Sequence, residues 1–297
     1  MATNSRRVLV TGGSGFIGRN LAASLAGSWD VLAPRRAELD LVDDDSVAAW
    51  FDANEVHGVV HAATTPAHRN AAAMGDVAAR NLRMFFNLMR HERRWTRMLV
   101  LGSGAEYDAR HYSPKMTEER FGEHLPADPS GFSKFVISQL AAADPRVTVL
   151  RLFGVFGPHE DWEIRFISNA ICKALFDRPI TLRQNRRFDY LWIEDLAPVI
   201  GRFLETDPRR RAYNVTPDES QELHSLAQIV RDVSGKNVEI RVAEPGLGVE
   251  YSGSNERIHR DLPGLTFTPP RVAIERLYRW YEGHREMIRP EALDRDK

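Results

Sequence analysis

The sequence holds a single cysteine, Cys172, so no intrachain disulfide can form. That residue lies in an apolar-periodic stretch and reads as a packed thiol rather than a nucleophile. Neither sign of charge is in excess: a net charge of -1 gives no electrostatic case for nucleic acid or an anionic membrane. No apolar run approaches the ~20 residues of a membrane span. Met1 to Arg7 is short and polar, without the apolar core of a signal peptide. Repeats and low-complexity segments are also lacking. These absences leave a soluble chain, expected in the cytoplasm, with no nucleic-acid or membrane partner and no metal site expected.

What is present is organised around one stretch near the start, Arg7-Val8-Leu9-Val10-Thr11-Gly12-Gly13-Ser14-Gly15-Phe16-Ile17-Gly18-Arg19-Asn20-Leu21. Val8 to Val10 reads as a buried parallel strand, and Phe16, Ile17, Leu21 and Leu25 follow at helical spacing. Between them, glycines at 12, 15 and 18 suit a tight strand-to-helix turn, close approach of backbone to a pyrophosphate, and close packing of helix on strand. The free N–H groups of the helix start then face the phosphates.

With 297 residues the chain can bury a core for one dinucleotide-binding domain and a smaller lobe. Strands are expected at Val8–Val10, Asp30–Ala33, Gly58–His61, Arg97–Leu101 and Val147–Leu152. Helices are expected at Phe16–Ala26, Ser46–Asn54, Ala71–Arg93 and Gly131–Ala143. Strand–helix alternation of this kind implies an α/β, doubly wound parallel sheet of Rossmann type. After residue 155 the pattern loosens, with helices at Ile164–Phe176 and Leu223–Ser234. The dinucleotide domain is therefore expected over 1–155 and about 188–206, and a C-terminal substrate lobe over about 156–187 and 207–297. Past the second strand, Pro34-Arg35-Arg36 stands where an acidic residue would bond the ribose 2′-hydroxyl of NAD. Guanidinium groups suit a 2′-phosphate, so NADP(H) is the favoured cofactor; two solvated surface arginines are the alternative.

The segment Thr11-Gly12-Gly13-Ser14-Gly15-Phe16-Ile17-Gly18 closely resembles the extended short-chain dehydrogenase/reductase family of nucleotide-sugar epimerases, dehydratases and reductases. The resemblance covers nearly the whole chain but thins after about residue 220. It implies cofactor contacts from Gly12, Gly15, Phe16, Ile17 and Gly18, an adenine-contacting pair at Asp40-Leu41, and small residues beside the cofactor at Ala62 and Ala63. Val155 falls in the family's loop over the nicotinamide. Ser103 matches the family's substrate-orienting hydroxyl. Lys134, in Ser130-Gly131-Phe132-Ser133-Lys134, matches the lysine of the Tyr-x-x-x-Lys motif that bonds the nicotinamide ribose. Asn81 sits where the family often has an asparagine, or is a satisfied helix residue.

The motif's tyrosine is replaced here by Ser130. An engineered change, another proton donor such as a water held by Ser130, and lost activity all remain open. Tyr107 and Tyr112 are nearest in sequence, without the spacing to Lys134. If the donor is simply missing, the chain should bind its ligands but turn over slowly, and Ser130→Tyr should raise the rate. Gly104 and Ala105 occupy the acid/base positions of the family's dehydratases, and Glu106 is expected to point elsewhere, which counts against dehydration. His159 falls where a dual epimerase–reductase of the family has its acid/base histidine, or is a loop residue; the partner cysteine of that enzyme is Ala105 here. Arg187 resembles a contact for the nucleotide diphosphate, Asn169 could face the substrate, and Asp195 would anchor structure. A homodimer is implied through the helices at Ala71–Arg93 and Gly131–Ala143. The implied activity is NADPH-dependent reduction of a nucleotide-linked 4-keto-6-deoxyhexose. An NAD(P)-dependent 4-epimerase and a non-catalytic NADP-binding regulator are the alternatives.

Overall fold

A computed structural model describes residues 6–66 and 76–294. Its elements run β1 (Arg7–Thr11), α1 (Phe16–Leu25), β2 (Asp30–Leu32), α2 (Asp44–Ala53), β3 (Gly58–His61), α3 (Val77–Arg90), β4 (Arg97–Ser103), α4 (Pro129–Ala141) and β5 (Val147–Leu152). There follow β6 (Gly154–Phe156), α5 (Phe166–Leu175), β7 (Ile180–Asn185), β8 (Arg187–Phe188), β9 (Tyr190–Trp192), α6 (Leu196–Glu205) and β10 (Ala212–Val215). The chain continues through β11 (Gln221–Glu222), α7 (Leu223–Ser234), β12 (Ile240–Leu247), α8 (Glu256–Asp261) and α9 (Pro270–Glu282). The helix expected to start at Ala71 is seen as α3; residues 71–75 of that expectation lie outside the described residues.

Six strands pair in the order β10-β5-β4-β3-β1-β2, all parallel. Successive residues of β1 go to opposite faces. Val8 and Val10 pack with Leu21 and Leu25 of α1 and with Val199, Ile200 and Phe203 of α6. Leu9 packs with Phe51, Phe85, Leu88 and Ile137 on the other side. A parallel strand buried on both faces needs this unbroken apolar run. The strand order reverses between β1 and β3, and ligands of such sheets bind at the carboxyl ends beside that point.

The second lobe has its own core, with Ile167, Ile171 and Leu175 of α5 against Leu226 and Val230 of α7 and Ile274 and Leu277 of α9. Cys172 is fully buried within it. Its helices lie where periodicity placed them, and α7 has the expected bounds. The lobe boundary differs from the expected one. β10 pairs with β5 in the main sheet, and Ile258, Leu262 and Leu265 pack into the α1/α6 side of that sheet. Residues 212–215 and the side chains of Ile258, Leu262 and Leu265, expected in the second lobe, thus pack with the main sheet. Strand pairing between remote segments leaves no local signal in the sequence.

Candidate active site

The loop after β1 is closed by backbone. Gly12 has φ +69°, and a Cβ there would lie 2.9 Å from the Ala63 Cα. A Cβ on Gly18 would lie 2.2 Å from the Gly12 carbonyl oxygen, so α1 can rest on the loop only because residue 18 has no side chain. Gly15 precedes α1 and supplies no side-chain cap. The first intrahelical bond is Arg19 N–H to Gly15 O, 3.0 Å, which leaves the N–H groups of Phe16, Ile17 and Gly18 without helical partners. Phe16 and Ile17 turn their side chains toward the core. A cradle of uncapped N–H groups at the positive end of a helix fits a dinucleotide diphosphate.

Thr11 ties this loop to β3. Its hydroxyl accepts the N–H groups of Ala62 and Ala63, both at 3.1 Å, so its own proton goes to His61 Nδ1, 3.0 Å away. Burial, reinforced by the Lys134 ammonium, pushes the His61 pKa down to about 3. A neutral ring with an accepting Nδ1 agrees with that bond. Beyond β2, Arg35 and Arg36 are exposed. Arg36 donates from Nε and Nη2 to Asp40 Oδ2, at 3.2 and 3.1 Å, while Asp40 Oδ1 accepts the Val42 N–H at 3.1 Å. Asp40 therefore shapes the turn that holds Arg36, and Leu41 is buried in the core beside it.

Ser103 ends β4, and its hydroxyl accepts the Ala105 N–H at 3.1 Å. Glu106 folds back inward, in keeping with the expectation that it points elsewhere than the acid/base position. Its carboxylate takes the Ser103 N–H at 2.8 Å, the Ser138 hydroxyl at 2.6 Å and Arg151 Nε at 2.6 Å. Glu106 and Arg151 are almost wholly buried, with side chains 0% and 2% exposed. The turn after Ser103 is a capping box, which aims residue 106 at the sheet instead of the cleft. This ion pair fixes the Ser103 turn to β5 and, through Ser138, to α4. Tyr107 is removed from candidacy as a donor at the site: it is buried, and its hydroxyl donates to Asn214 at 2.7 Å.

Asp128 caps α4 by accepting the Gly131 N–H at 2.7 Å, with Pro129 in the first turn. Lys134 on this helix donates from Nζ to the Leu101 carbonyl at 2.7 Å, two residues before Ser103. Burial lowers the Lys134 pKa, and the Glu106 carboxylate partly offsets that. Asn81 on α3 is a strut: it accepts the Thr65 N–H at 2.8 Å and donates to Ser133 at 3.0 Å. Ser133 in turn donates to the Ser130 carbonyl at 2.8 Å. The Ser130 backbone is thereby fixed, while among the described residues its hydroxyl has no hydrogen-bond partner.

A phenol beside the Ser103 turn comes from an unexpected place. Tyr251, between β12 and α8, brings its hydroxyl so close to Gly104 that a Cβ there would lie 2.6 Å from it. The Tyr251 hydroxyl interacts with both Ser103 and Tyr112. Burial, then the neighbouring Tyr112, raises the Tyr251 pKa well above the ordinary phenol value. Burial likewise pushes Tyr112 up to about 12. Nothing near residue 251 in sequence marks it; the one cue is glycine directly after Ser103.

Of the other expected site residues, Val155 lies in β6, which pairs with β9. His159 adopts φ +67° and sets its ring edge-on to Trp280 of α9, centroids 4.9 Å apart. Burial and the charges of Arg19 and His284 lower its pKa. Its neighbours thus include Arg19 of α1, Trp280 of α9 and His284 just beyond that helix. Asn169 is buried on α5. Arg187 is half exposed and reaches Glu222 Oε1 at 3.4 Å. Asp195 anchors the start of α9 by accepting the Thr268 N–H at 2.8 Å and hydroxyl at 2.6 Å.

Comparison with known proteins gives the family and the fold. The model of the NAD dependent epimerase/dehydratase family matches residues 8–216. GDP-L-fucose synthase of Azorhizobium caulinodans is 36% identical over 87 residues, a stretch spanning 28% of this chain and 28% of that protein. The NADP-bound GDP-L-fucose synthetase of Naegleria fowleri superposes with a TM-score of 0.84 at 16% identity, over 97% of this chain and 96% of that one. The GDP-mannoheptose C4 reductase of Campylobacter jejuni, also with NADP bound, gives 0.81 at 18% identity, over 95% and 99%. At these identities the structural likeness is one of fold.

Proposed function

The chain belongs to the NAD dependent epimerase/dehydratase family, and from that premise we propose that it reduces a nucleotide-diphosphate-linked 4-keto sugar with NADPH. One observation carries the reading. Ser103 and Lys134 converge at the carboxyl end of β4, with Lys134 Nζ on the Leu101 carbonyl, at the same end of the sheet as the α1 cradle. Bound NADPH supplies hydride there. Ser103 orients the carbonyl oxygen, and Lys134 holds the nicotinamide ribose. The uncapped α1 N-terminus takes the diphosphate of the cofactor, with Arg35 and Arg36 near its 2′-phosphate. Asn169 and Arg187 remain the candidate substrate contacts.

The alternative activity is 4-epimerisation with a retained cofactor. The test is stoichiometry: a reductase consumes one NADPH for each sugar converted, whereas a retained cofactor with no net consumption marks an epimerase.

Changing Arg35 and Arg36 together to alanine should weaken NADPH binding by about tenfold or more while leaving NADH binding nearly unchanged, since each charge-assisted bond to the 2′-phosphate contributes ~1.5 kcal/mol or more. Fluorescence titration with both cofactors reads this, and equal losses for the two would reject the assignment.

The chain is also proposed to form a homodimer through α3 and α4. These helices pack side by side and leave Phe86, Phe132 and Leu140 39–45% exposed on their outer side, an apolar surface suited to a second copy. Sedimentation at micromolar concentration should show a dimer, and Phe86→Glu with Leu140→Glu should yield the monomer; a wild-type monomer refutes the proposal.

A further inference from the structure

We propose that Tyr251, reaching in from the second lobe side of the cleft, is the proton donor to the substrate carbonyl oxygen, in the role that position 130 cannot fill. This rests on the reductase reading above.

The placement is built by several independent features. Gly104 is the residue over which the Tyr251 hydroxyl passes; its missing Cβ leaves the room, since a methyl group there would meet the hydroxyl at 2.6 Å and the Phe153 ring at 2.7 Å. The Tyr251 backbone is clamped on both sides: its N–H donates to Arg187 O and its carbonyl accepts the Asp189 N–H, each at 3.0 Å. The ring is held by Phe188, Tyr112 and Phe153, with centroids 4.8, 4.9 and 5.0 Å away. Asp189, itself fully buried, accepts the Gly253 N–H at 2.8 Å and fixes the chain just beyond. Such a ring has lost its rotamer freedom before substrate arrives, and preorganisation of this kind is what a catalytic group requires.

Chemistry points the same way. The hydroxyl that orients the carbonyl, Ser103, interacts with the Tyr251 phenol, so a carbonyl oxygen received by one is presented to the other. The Ser130 hydroxyl is a far weaker acid on a shorter side chain. In the step, the carbonyl carbon gains hydride from NADPH as a new C–H bond, the C=O π pair moves onto oxygen, and that oxygen takes the Tyr251 proton. NADPH leaves as NADP+. The tyrosinate then regains a proton from Tyr112, whose hydroxyl proton rests on Gly104 O at 3.3 Å before the step, and Tyr112 is reprotonated from solvent.

The test uses the full chain with GDP-4-keto-6-deoxymannose and dTDP-4-keto-6-deoxyglucose as probes, in single-turnover NADPH oxidation. Tyr251→Phe keeps the ring packing and should slow the step by about 10²–10⁴-fold, the usual loss for a positioned general acid, with NADPH binding unchanged. Adding Ser130→Tyr to that variant should restore a measurable part of the rate by returning a phenol to α4. A second readout needs no turnover. In cofactor-free protein, the ¹⁹F resonance of 3-fluorotyrosine at 251 should move on adding the active keto sugar nucleotide and stay still with its nucleoside diphosphate alone. A Tyr251→Phe protein as fast as wild type, or an unmoved resonance, overturns the donor assignment while the reductase reading stands. A loss of NADPH binding with no rescue from position 130 marks a structural role and also overturns it. Wild-type protein that oxidises no NADPH with either probe removes the reductase reading, and this proposal with it.

Discussion

Arg151→Met should lower the free energy of unfolding by about 3–5 kcal/mol, the cost of leaving one member of a buried ion pair without its partner. Glu106 would keep its bonds from the Ser103 N–H and Ser138 hydroxyl but would hold an uncompensated charge in the core. At about 2–4 °C per kcal/mol for a chain of this size, the melting temperature should fall by roughly 10 °C. Glu106→Gln should cost a similar amount, since it strands the Arg151 guanidinium over the Phe121 ring, 4.0 Å from its centroid. The double change should recover much of the loss, because neither charge is then buried alone. Equilibrium denaturation of the three variants decides it. Losses that simply add would show that the two residues act separately and that the pair is not what secures the Ser103 turn.

Gly18→Ala should weaken NADPH binding by about 10–100-fold. The added methyl would lie 2.2 Å from the Gly12 carbonyl oxygen and 2.6 Å from its carbon. Both are backbone atoms, so α1 must move off the loop. Overpacking of this kind costs ~1–3 kcal/mol, and a displaced helix no longer aims its N–H groups at the diphosphate. Gly201→Ala is the matched control: it lies in α6 with nothing within 4 Å of the added carbon, and should leave binding as it was. Fluorescence titration of NADPH against both variants measures the difference. Equal affinity for Gly18→Ala and wild type would mean that the diphosphate binds elsewhere.

Local chemistry is legible in the sequence itself. The glycines at 12, 15 and 18 act within one turn of chain, so their spacing alone implied a strand, a tight loop and a helix start. The helix expected from Gly131 is α4, which starts two residues earlier because Asp128 caps it and Pro129 sits in its first turn. Lys134 followed at a fixed offset on the same helix. The amphipathic period of α7 set its bounds.

Other features depend on segments that meet only in the folded chain. β10 belongs to the main sheet because its backbone bonds to β5, and hydrogen bonding of that kind is blind to sequence distance. Glu106 faces inward because a 3-10 turn after Ser103 rotates it and Arg151 waits there; residue spacing gave its type but not its direction. Tyr251 illustrates the same limit. The sequence determined that Ser103 and Lys134 stand at their motif positions and that no tyrosine accompanies them on α4. Only the tertiary structure decided that a phenol from beyond β12 comes to rest at Ser103, because the clamp to Arg187 and Asp189, the ring packing and the room above Gly104 come from four separate stretches of chain.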